Sequence, residues 1–331
     1  MAHWPPNDPR ILIATCMKDE GPFILEWLAW HQAIGITDFV VYTNDCTDGT
    51  DAILERLAAI GLVRHLPNPA LATGSTYFQP VALAYTPHLP EWGLADFFLS
   101  IDVDEFVNIR AGSGHIGDLL DVLPEFDAVS LSELNHGANG HMTFAPGLMT
   151  AQFPRHQTER PGRHKALRGV KTLVRISQRL EKPRNHRPDF RDGAAITWLD
   201  GAGRALEVLA ADASLNGIDV RGSYDHVVLD HFPLRSLESY LIKMARGDVV
   251  VKDHRVSRRY WRLRNRNEAL TSTFERQQPA FRAAHDALMS DAPLRALHER
   301  ACSIHINRAA ELLRQPEYAE RRAWILDNAW D

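Results

Sequence analysis

The chain has 331 residues, of which 45% are hydrophobic and 24% charged, and its formal net charge is −5. These values are ordinary for a globular protein large enough for one α/β domain with an appendage, and they give no sign of nucleic-acid binding. No apolar run approaches the roughly 18 residues of a membrane span, and the first ten residues do not resemble a signal peptide. We therefore expect a cytoplasmic protein without a transmembrane segment, and peripheral contact with the cytoplasmic face of a membrane stays open.

Three cysteines, Cys16, Cys46 and Cys302, are an odd number without a Cys-x-x-Cys pair. This pattern argues against a disulfide framework or a zinc knuckle, so we expect reduced, structural thiols.

The first half of the chain alternates short apolar runs with segments of helical periodicity. RILIATCM, DFVVYT and LVRHL are typical of strands, and FILEWLAWHQAIG and TDAILERLAAIG are typical of helices that stop at Gly35 and Gly61. A further helix, QPVALAYTPHL, leads to the apolar run FFLSI. Alternation of this kind predicts a parallel sheet with right-handed crossovers, which binds ligands beyond the carboxyl ends of its strands.

The second half is less regular. It predicts a helix at HIGDLLDVL, strands at AVSLSEL, VKTLVRI and HVVLDHF, a hairpin joining AITWL to RALEVL, and a long functional loop at HGANGHMTFAPG. A helix at SLESYLIKMARG follows, and the chain looks helical from Lys252 onward. We expect one α/β domain over residues 1–250 and a helical extension over residues 251–331 packed on it.

The segment FFLSIDVDEF is the strongest chemical signal. If its strand continues through the carboxylates, Asp102 and Asp104 leave the same face roughly 6 to 7 Å apart. Two like charges at the end of an apolar strand repel each other, so the arrangement favours a bound cation. Hard oxygen ligands without a neighbouring cysteine or histidine suit Mg²⁺ or Mn²⁺. The alternative is a solvated strand end or a capped turn.

Polar turns also follow the first two strands. Lys18, Asp19 and Glu20 follow the first, and the run from Asn44 to Thr50 follows the second. Their side-chain acceptors suit the donors of a nucleobase or ribose. The alternative is local structure, since Asp48 is a good helix N-cap and Asp-Gly is a common turn.

Other motifs are weaker. GSGHIG fits the spacing GxGxxG, but it lacks the apolar strand that a dinucleotide site requires. His226 and His231 bracket a strand and face opposite sides, so they cannot readily share a metal, whereas His231 alone could reach the carboxylate site. The basic, aromatic segment KDHRVSRRYWRLRNR could bind a diphosphate, an anionic glycan or a membrane surface, or form a solvated helix face.

In combination, the motifs resemble glycosyltransferase family 2-like proteins close to family 92. The resemblance runs from about Ile11 to Asn267, in motif order. KDEGPFILEWLAWHQAIG is similar to the family's (K/R)NEG and LEWLAYHxxIG, NDCTDGT to DNxSxDGT, DVDEF to DIDEF and HGANGH to FGxxGH. KTLVR is similar to KSIVR, and HFPLRSLESYLIKMARG to HY followed by a K-S-x-E-x-F helix. Asp19, His136 and Phe232 differ from the residues of the family pattern, and these differences concern the identity of the acceptor.

The resemblance implies a GT-A type α/β fold, with a mostly parallel Rossmann-like sheet flanked by helices. It also implies transfer of a sugar from a nucleotide-sugar, UDP-sugar foremost, to a hydroxyl of a glycan or lipid-linked glycan, mostly with inversion and with Mn²⁺ or Mg²⁺. The implied metal ligands are Asp102, Asp104 and His231, and the implied catalytic residues are Asp104 and Glu133, the latter as base. The implied donor-binding residues are Thr15, Lys18, Glu20, Asn44, Asp45, Asp48 and Lys171.

Two alternatives stay open. Paired aspartates with Mg²⁺ also serve nucleotidyltransferases and other phosphoryl-transfer enzymes. A transferase fold without turnover would instead be a glycan-binding or nucleotide-sugar-binding protein. The sequence does not specify the sugar, the linkage or the oligomeric state.

Overall fold

The computed structural model describes residues 9–159, 168–211, 218–219, 223–247, 258–270, 274 and 278–328. The strands are β1 (Ile11–Met17), β2 (Asp38–Thr43), β3 (Arg64–Pro67), β4 (Phe97–Ser100), β5 (Glu105–Ile109), β6 (Ala128–Asn135), β7 (Arg155–His156), β8 (Arg168–Arg175), β9 (Leu180–Lys182), β10 (Asp189–Phe190), β11 (Trp198–Leu199), β12 (Ile218–Asp219), β13 (Val227–His231) and β14 (Ala269–Leu270).

The α-helices are α1 (Ile24–Ala33), α2 (Thr50–Ala59), α3 (Ala70–Thr73), α4 (Phe78–Tyr85), α5 (Pro90–Leu94), α6 (Ile116–Val122), α7 (Met149–Gln152), α8 (Glu207–Ala211), α9 (Leu237–Arg246), α10 (Arg258–Arg264), α11 (Gln278–Ser290), α12 (Ala292–Leu313) and α13 (Pro316–Asn328). Short 3₁₀ helices lie at Gly21–Phe23 and Thr86–His88. None of these described helices combines the length and apolar character needed to cross a bilayer.

One sheet organises the molecule, with the path β3-β2-β1-β4-β8-β6-β13-β5, and with β11 beside β6 and β12 beside β8. Strands β3, β2, β1 and β4 are parallel, β8 runs antiparallel to β4 and β6, and β13 is parallel to β6 and antiparallel to β5. The predicted α/β class, a mostly parallel sheet flanked by helices with a helical C-terminal region, is confirmed. This order brings the carboxyl ends of β1, β4, β6 and β13 to one edge.

Helix α1 packs tightly on the sheet because almost every residue of its sequence ILEWLAWHQA is buried. Its two indole N–H groups find partners on β5: Trp27 donates to the Glu105 carbonyl at 3.1 Å and Trp30 to the Val107 carbonyl at 2.7 Å. A large aromatic ring contributes most when its polar atom is paired, so these two bonds fix the helix against the strand. The predicted end of the helix is also confirmed, since Gly35 has φ +95°.

The C-terminal helices complete the main hydrophobic core. Phe281 of α11 and Leu294 and Ala301 of α12 belong to the same buried cluster as Ile11 of β1. Helix α11 packs against α1, and α12 packs against α2 and α9. The predicted boundary near residue 250 lies outside the described residues and stays a prediction.

One local prediction is wrong, and a second holds over fewer residues than expected. Strand β4 ends at Ser100, so Asp102 and Asp104 lie in a turn (residues 101–104, hereafter the carboxylate turn) rather than along a strand. The Glu105 carboxylate accepts the Asp102 N–H at 2.8 Å, and the Glu105 N–H donates to the Asp102 carbonyl at 3.0 Å, which closes the turn. The expected hairpin is present but short: Leu199 bridges Ala205, and the Leu206 N–H donates to the Trp198 carbonyl at 2.7 Å, before α8 begins at Glu207.

Candidate functional site

The carboxylate turn is held by cations and amides from neighbouring elements. Asp102 Oδ2 accepts from Lys171 Nζ at 3.0 Å and its Oδ1 from Gln79 of α4 at 3.0 Å. Asp104 Oδ2 accepts from Lys243 of α9 at 2.7 Å. Burial opposes ionisation of Asp104, but Lys243 and His231 outweigh it and hold the pKa of this carboxyl well below its usual range. The two aspartates therefore face different partners.

Lys171 lies on β8, beneath the turn, with a completely buried side chain. Its Nζ contacts Asp102, Asn185 and, at 3.2 Å, Glu105 Oε2. Burial disfavours the ammonium, but Asp102 and Glu105 outweigh it and raise the pKa of Lys171. Lys171 therefore places a positive charge next to Asp102 and Glu105.

His231, the last residue of β13, lies between two carboxylates. Its Nε2 is 3.7 Å from Asp104 Oδ1, and its Nδ1 is 3.6 Å from Glu133 Oε1. Burial disfavours the imidazolium, but the charges of Glu133 and Asp104 raise the pKa of His231 to about 10. Nevertheless, Nδ1 is buried without a partner within hydrogen-bonding distance.

Glu105 and Glu133 complete the cluster. Burial raises the pKa of Glu105 to about 7, although Lys171 acts in the opposite sense. Burial also opposes ionisation of Glu133, but His231 and Arg264 outweigh it and hold the pKa of Glu133 far below its usual range. The Arg264 Nη1 lies 2.8 Å from Glu133 Oε2.

Gly169 leaves the space that Glu133 needs. A Cβ atom at this position would lie about 2.3 Å from the Glu133 carboxylate carbon. Contacts this short do not occur, so a larger residue at 169 would displace the carboxylate.

The donor atoms of this cluster fit a hard divalent cation. Within the described part of the chain, one ligand atom each from Glu105, Glu133 and His231 lies within 4.8 Å of the others. Oxygen ligands with one imidazole suit Mn²⁺ or Mg²⁺, and the unpartnered Nδ1 of His231 is available as a ligand once it is deprotonated. Of the ligands expected from sequence, this group includes His231, while Asp102 and Asp104 lie in the adjoining turn; their role as ligands stays a prediction.

Of the expected donor-binding residues, Lys171 lies on β8, Thr15 lies within β1, and the others lie in the turns after β1 and β2. Thr15 is buried, and its hydroxyl has no hydrogen-bond partner. The Asn44 amide donates to the Asp45 carboxylate at 3.2 Å. Asp48 accepts from the N–H groups of Gly21 at 2.8 Å and Thr50 at 2.9 Å. Asp48 is not the N-cap of α2, which is Gly49; it accepts from Thr50 within the turn before the helix and from Gly21 after the β1 turn, whereas Thr15 and Asn44 keep unused polar atoms.

The turn after β1, residues 18–20 and hereafter the β1 turn, is also tightly held. Glu20 is buried between Arg235 and Arg246. The carbonyl of Lys18 accepts from Arg246, while its own side chain is only half-buried. Direct contact of Glu20 with a nucleoside stays a prediction, but its carboxylate already has two charged partners.

Several residues of this site were missed from sequence. Lys243 and Arg246 lie within the motif HFPLRSLESYLIKMARG and Arg264 within the basic segment, but none of the three was assigned to the carboxylates, because cations on helices are usually solvated. A usable signal is the spacing of Lys243 and Arg246, which lie three residues apart on one helix directly after the His231 strand. Glu105 follows Asp104 in the same motif, but the sequence alone suggested no function for it.

The remaining motifs make contacts within the protein, and the functional role expected of the HGANGH loop stays a prediction. His115 of the sequence GSGHIG caps the start of α6 by accepting the Gly117 N–H at 3.2 Å, so this segment is a loop before a short helix. In the HGANGH loop, Asn139 contacts the Asn267 carboxamide, which pins the loop to the segment after α10. Residues 252–257 of the basic segment lie outside the described residues, and Trp261 of α10 is fully buried.

No family model matches the chain. A glycosyltransferase family 92 protein of Ricinus communis is 30% identical over 105 residues, which are 31% of this chain and 18% of that protein. A family 92 protein of Oryza sativa subsp. japonica is 26% identical over 120 residues, 36% of this chain and 19% of that protein. The matched segments thus span less than a fifth of these curated relatives. The predicted resemblance to glycosyltransferases near family 92 is confirmed.

Solved structures show weaker similarity. The mannosyltransferase Ktr4p from S. cerevisiae has a TM-score of 0.26 at 9% identity, over 40% of this chain and 41% of its own. TarS 1–349 from S. aureus has a TM-score of 0.36 at 13% identity, over 92% of this chain and 91% of its own. Scores this low support no equivalence of individual positions.

Proposed function

We propose that the protein is a glycosyltransferase that moves a sugar from a nucleotide-sugar, most simply a UDP-sugar, to a hydroxyl of a glycan or lipid-linked glycan. One observation supports this proposal above the others. Carboxylates and one incompletely bonded histidine converge at the carboxyl edge of the sheet, in a chain that resembles family 92 glycosyltransferases. Ligands of α/β sheets bind at this edge.

A divalent cation is part of the proposal. Asp102, Asp104 and His231 would hold it, with Glu105 and Glu133 close by. Bound there, Mn²⁺ or Mg²⁺ would neutralise the charge that develops on the leaving diphosphate. Lys171 stays charged under the turn and adds to the positive potential on the diphosphate side.

The proposed nucleoside site lies between the ends of β1 and β2. Thr15 and Asn44 have polar atoms to offer there, and Lys18 is half-buried at the rim. Asp45, with its exposed side chain, borders the same site.

Glu133 remains the proposed base for the acceptor hydroxyl. Its pairing with Arg264 and His231 weakens it as a base. An acceptor hydroxyl that displaces Arg264 would restore part of its basicity, because a neighbouring cation is what lowers the pKa. With Glu133 in this role, the reaction inverts the anomeric centre.

The decisive experiment is a panel of nucleotide-sugars with release of the nucleoside diphosphate as readout, with Mn²⁺, with Mg²⁺ and with chelator. Asp102→Asn and Asp104→Asn keep the side-chain shape but remove a ligand charge, so we expect turnover to fall by a factor of about 100 or more. Asp96→Asn is the matched control, because Asp96 lies at the opposite end of β4 and accepts the Arg10 N–H at 2.9 Å.

Other outcomes identify the alternatives. Release of pyrophosphate would indicate a nucleotidyltransferase, and binding of a UDP-sugar without turnover would indicate a binding protein. Full activity in chelator, together with active Asp102→Asn and Asp104→Asn variants, would remove the metal from the proposal and leave the transfer reaction standing.

A further inference from the structure

The β1 turn is held by three arginines from later parts of the chain. Arg235 Nη1 donates to Glu20 Oε2 at 2.8 Å, and Arg246 contacts Glu20 Oε1. Arg308 of α12 donates to Asp19 Oδ2 at 3.0 Å. These five residues are hereafter the arginine clamp. Glu20, Asp19 and Arg235 are almost completely buried, so their charges are poorly screened by solvent.

The clamp also binds the backbone of the turn. Arg246 donates to the carbonyl oxygens of Lys18 and Asp19, the latter at 3.0 Å. Asp19 has φ +51°, a left-handed conformation that an aspartate adopts only when its surroundings compensate. Its carboxylate accepts the Thr47 N–H at 2.7 Å, which ties the β1 turn to the loop after β2. The conformation of the turn therefore depends on contacts outside it.

Helix α9 joins this clamp to the carboxylate turn. Lys243 and Arg246 are three residues apart and lie on the same side of the helix. Lys243 reaches Asp104, and Arg246 reaches the β1 turn. One helix therefore contacts both the turn that borders the proposed nucleoside site and the turn that borders the proposed cation and diphosphate site.

We propose that Glu20, Arg246 and Arg308 are positioning residues, which fix the β1 turn relative to the carboxylate turn. A nucleotide-sugar can then contact the protein through its nucleoside and its diphosphate at the same time. This inference rests on the proposed function for its consequence, donor affinity. It gives Glu20 an indirect role instead of direct contact with the nucleoside, and it makes α9 and α12 part of the donor site.

Two measurements on the full chain test the proposal. Hydrogen exchange of the peptide that contains residues 18–21 reports on the turn without any ligand, and calorimetry with UDP reports on donor affinity. In Arg246→Ala, we expect faster exchange confined to this peptide and UDP binding weakened about tenfold or more. Arg246→Lys should fall between this variant and wild type, because an ammonium cannot reproduce the forked contacts of a guanidinium.

Asp19→Asn is the mild variant, since asparagine also tolerates the left-handed conformation but loses the ion pair with Arg308. We expect a smaller change in the same direction, about twofold to threefold in UDP affinity. Arg56→Ala is the matched control, because Arg56 Nε donates to Asp291 at 3.1 Å and ties α2 to α12 away from both turns. It should leave the exchange of residues 18–21 and UDP affinity unchanged.

Unchanged exchange in both Arg246→Ala and Asp19→Asn would overturn the clamp, as would exchange that accelerates equally throughout the protein. A wild-type protein that binds no nucleotide would overturn the proposed function and the consequence for donor affinity. The exchange result would still decide whether the clamp holds the turn, so the two failures are distinguishable.

Discussion

Strand β13 carries two histidine–carboxylate clusters on its opposite faces, and they differ in how completely their polar atoms are bonded. Asp230 and His231 are neighbours, so their side chains leave different sides of the sheet. On one face, Asp230 accepts from His136 at 2.8 Å and from Asn108 at 2.7 Å, and the second ring nitrogen of His136 contacts the Phe153 carbonyl at 2.6 Å.

On the other face, His231 lies 3.6 and 3.7 Å from its carboxylates, and its Nδ1 is unpartnered. A buried polar group without a partner costs free energy, whereas a fully bonded network fixes one packing arrangement. Both histidines are buried beside carboxylates, so residue type and burial do not distinguish them. The unpartnered Nδ1 is the observation that makes His231, rather than His136, the candidate for ligand binding.

The largest expected effect is a loss of stability when the cluster of His136 and Asp230 is broken. His136→Ala removes one partner of a completely buried pair, and such a loss costs about 3 to 5 kcal/mol in the free energy of unfolding. Urea denaturation at pH 9.5, where most of the stabilisation by the His231 imidazolium is lost, should show a strongly lowered midpoint for His136→Ala and a smaller shift for His231→Ala. Similar losses in both variants would contradict the comparison.

The second effect is on pH dependence. The pKa of His231 is raised in the folded state, so its stabilisation is complete below pH 6.5 and is lost as the pH rises towards about 10. Between pH 7.5 and 9.5, wild type should lose up to about 2 kcal/mol more than His231→Gln. Denaturation curves at several pH values measure this difference, and parallel losses would show that His231 is not held as imidazolium.

The third prediction concerns Glu133, which lies beside His231. Gly169→Ala would force the Glu133 carboxylate away, and overpacking of this kind costs about 1 to 3 kcal/mol. We expect a loss of turnover larger than the loss of stability explains, measured as kcat at a temperature where the variant is fully folded. Gly93→Ala is the matched control, because nothing lies within 4 Å of a Cβ atom there.

The smallest effect is on ligand binding. His231→Ala should weaken Mn²⁺-dependent UDP binding by about tenfold, or about 1.4 kcal/mol, measured at a temperature where the variant is fully folded. His226→Ala should leave binding intact, because His226 precedes β13 and is not in the cluster. Calorimetry with and without Mn²⁺ measures the affinity for UDP. Equal affinities in wild type and His231→Ala would show that the histidine has a structural role only.

The sheet could be predicted from sequence because its signals are local. Apolar periodicity, the glycine at 35 and the short runs before each polar turn set the identity and order of the elements. The carboxylate turn could not be predicted, because its bend depends on hydrogen bonds between Asp102 and Glu105. A run that could continue as a strand gives no indication of such a bond.

The site could be predicted only in part, for a related reason. Asp102, Asp104 and His231 stand in recognisable motifs. The cations Lys243, Arg246 and Arg264, which pair with Asp104, Glu20 and Glu133, lie more than 100 residues away from these carboxylates in sequence, and their helices look like solvated ones. Only the pairing of β13 with β6 and the packing of α9 and α10 bring these cations to the carboxylates.

The shared core of the first strand and the last helices bears on how the chain is made. About 290 residues separate Ile11 from Ala301, which belong to one buried cluster. At the usual 5 to 20 residues per second, synthesis of that stretch takes on the order of tens of seconds. The apolar face of α1 that α11 covers is exposed for that time. Chaperone dependence during translation is therefore a property to expect of this chain.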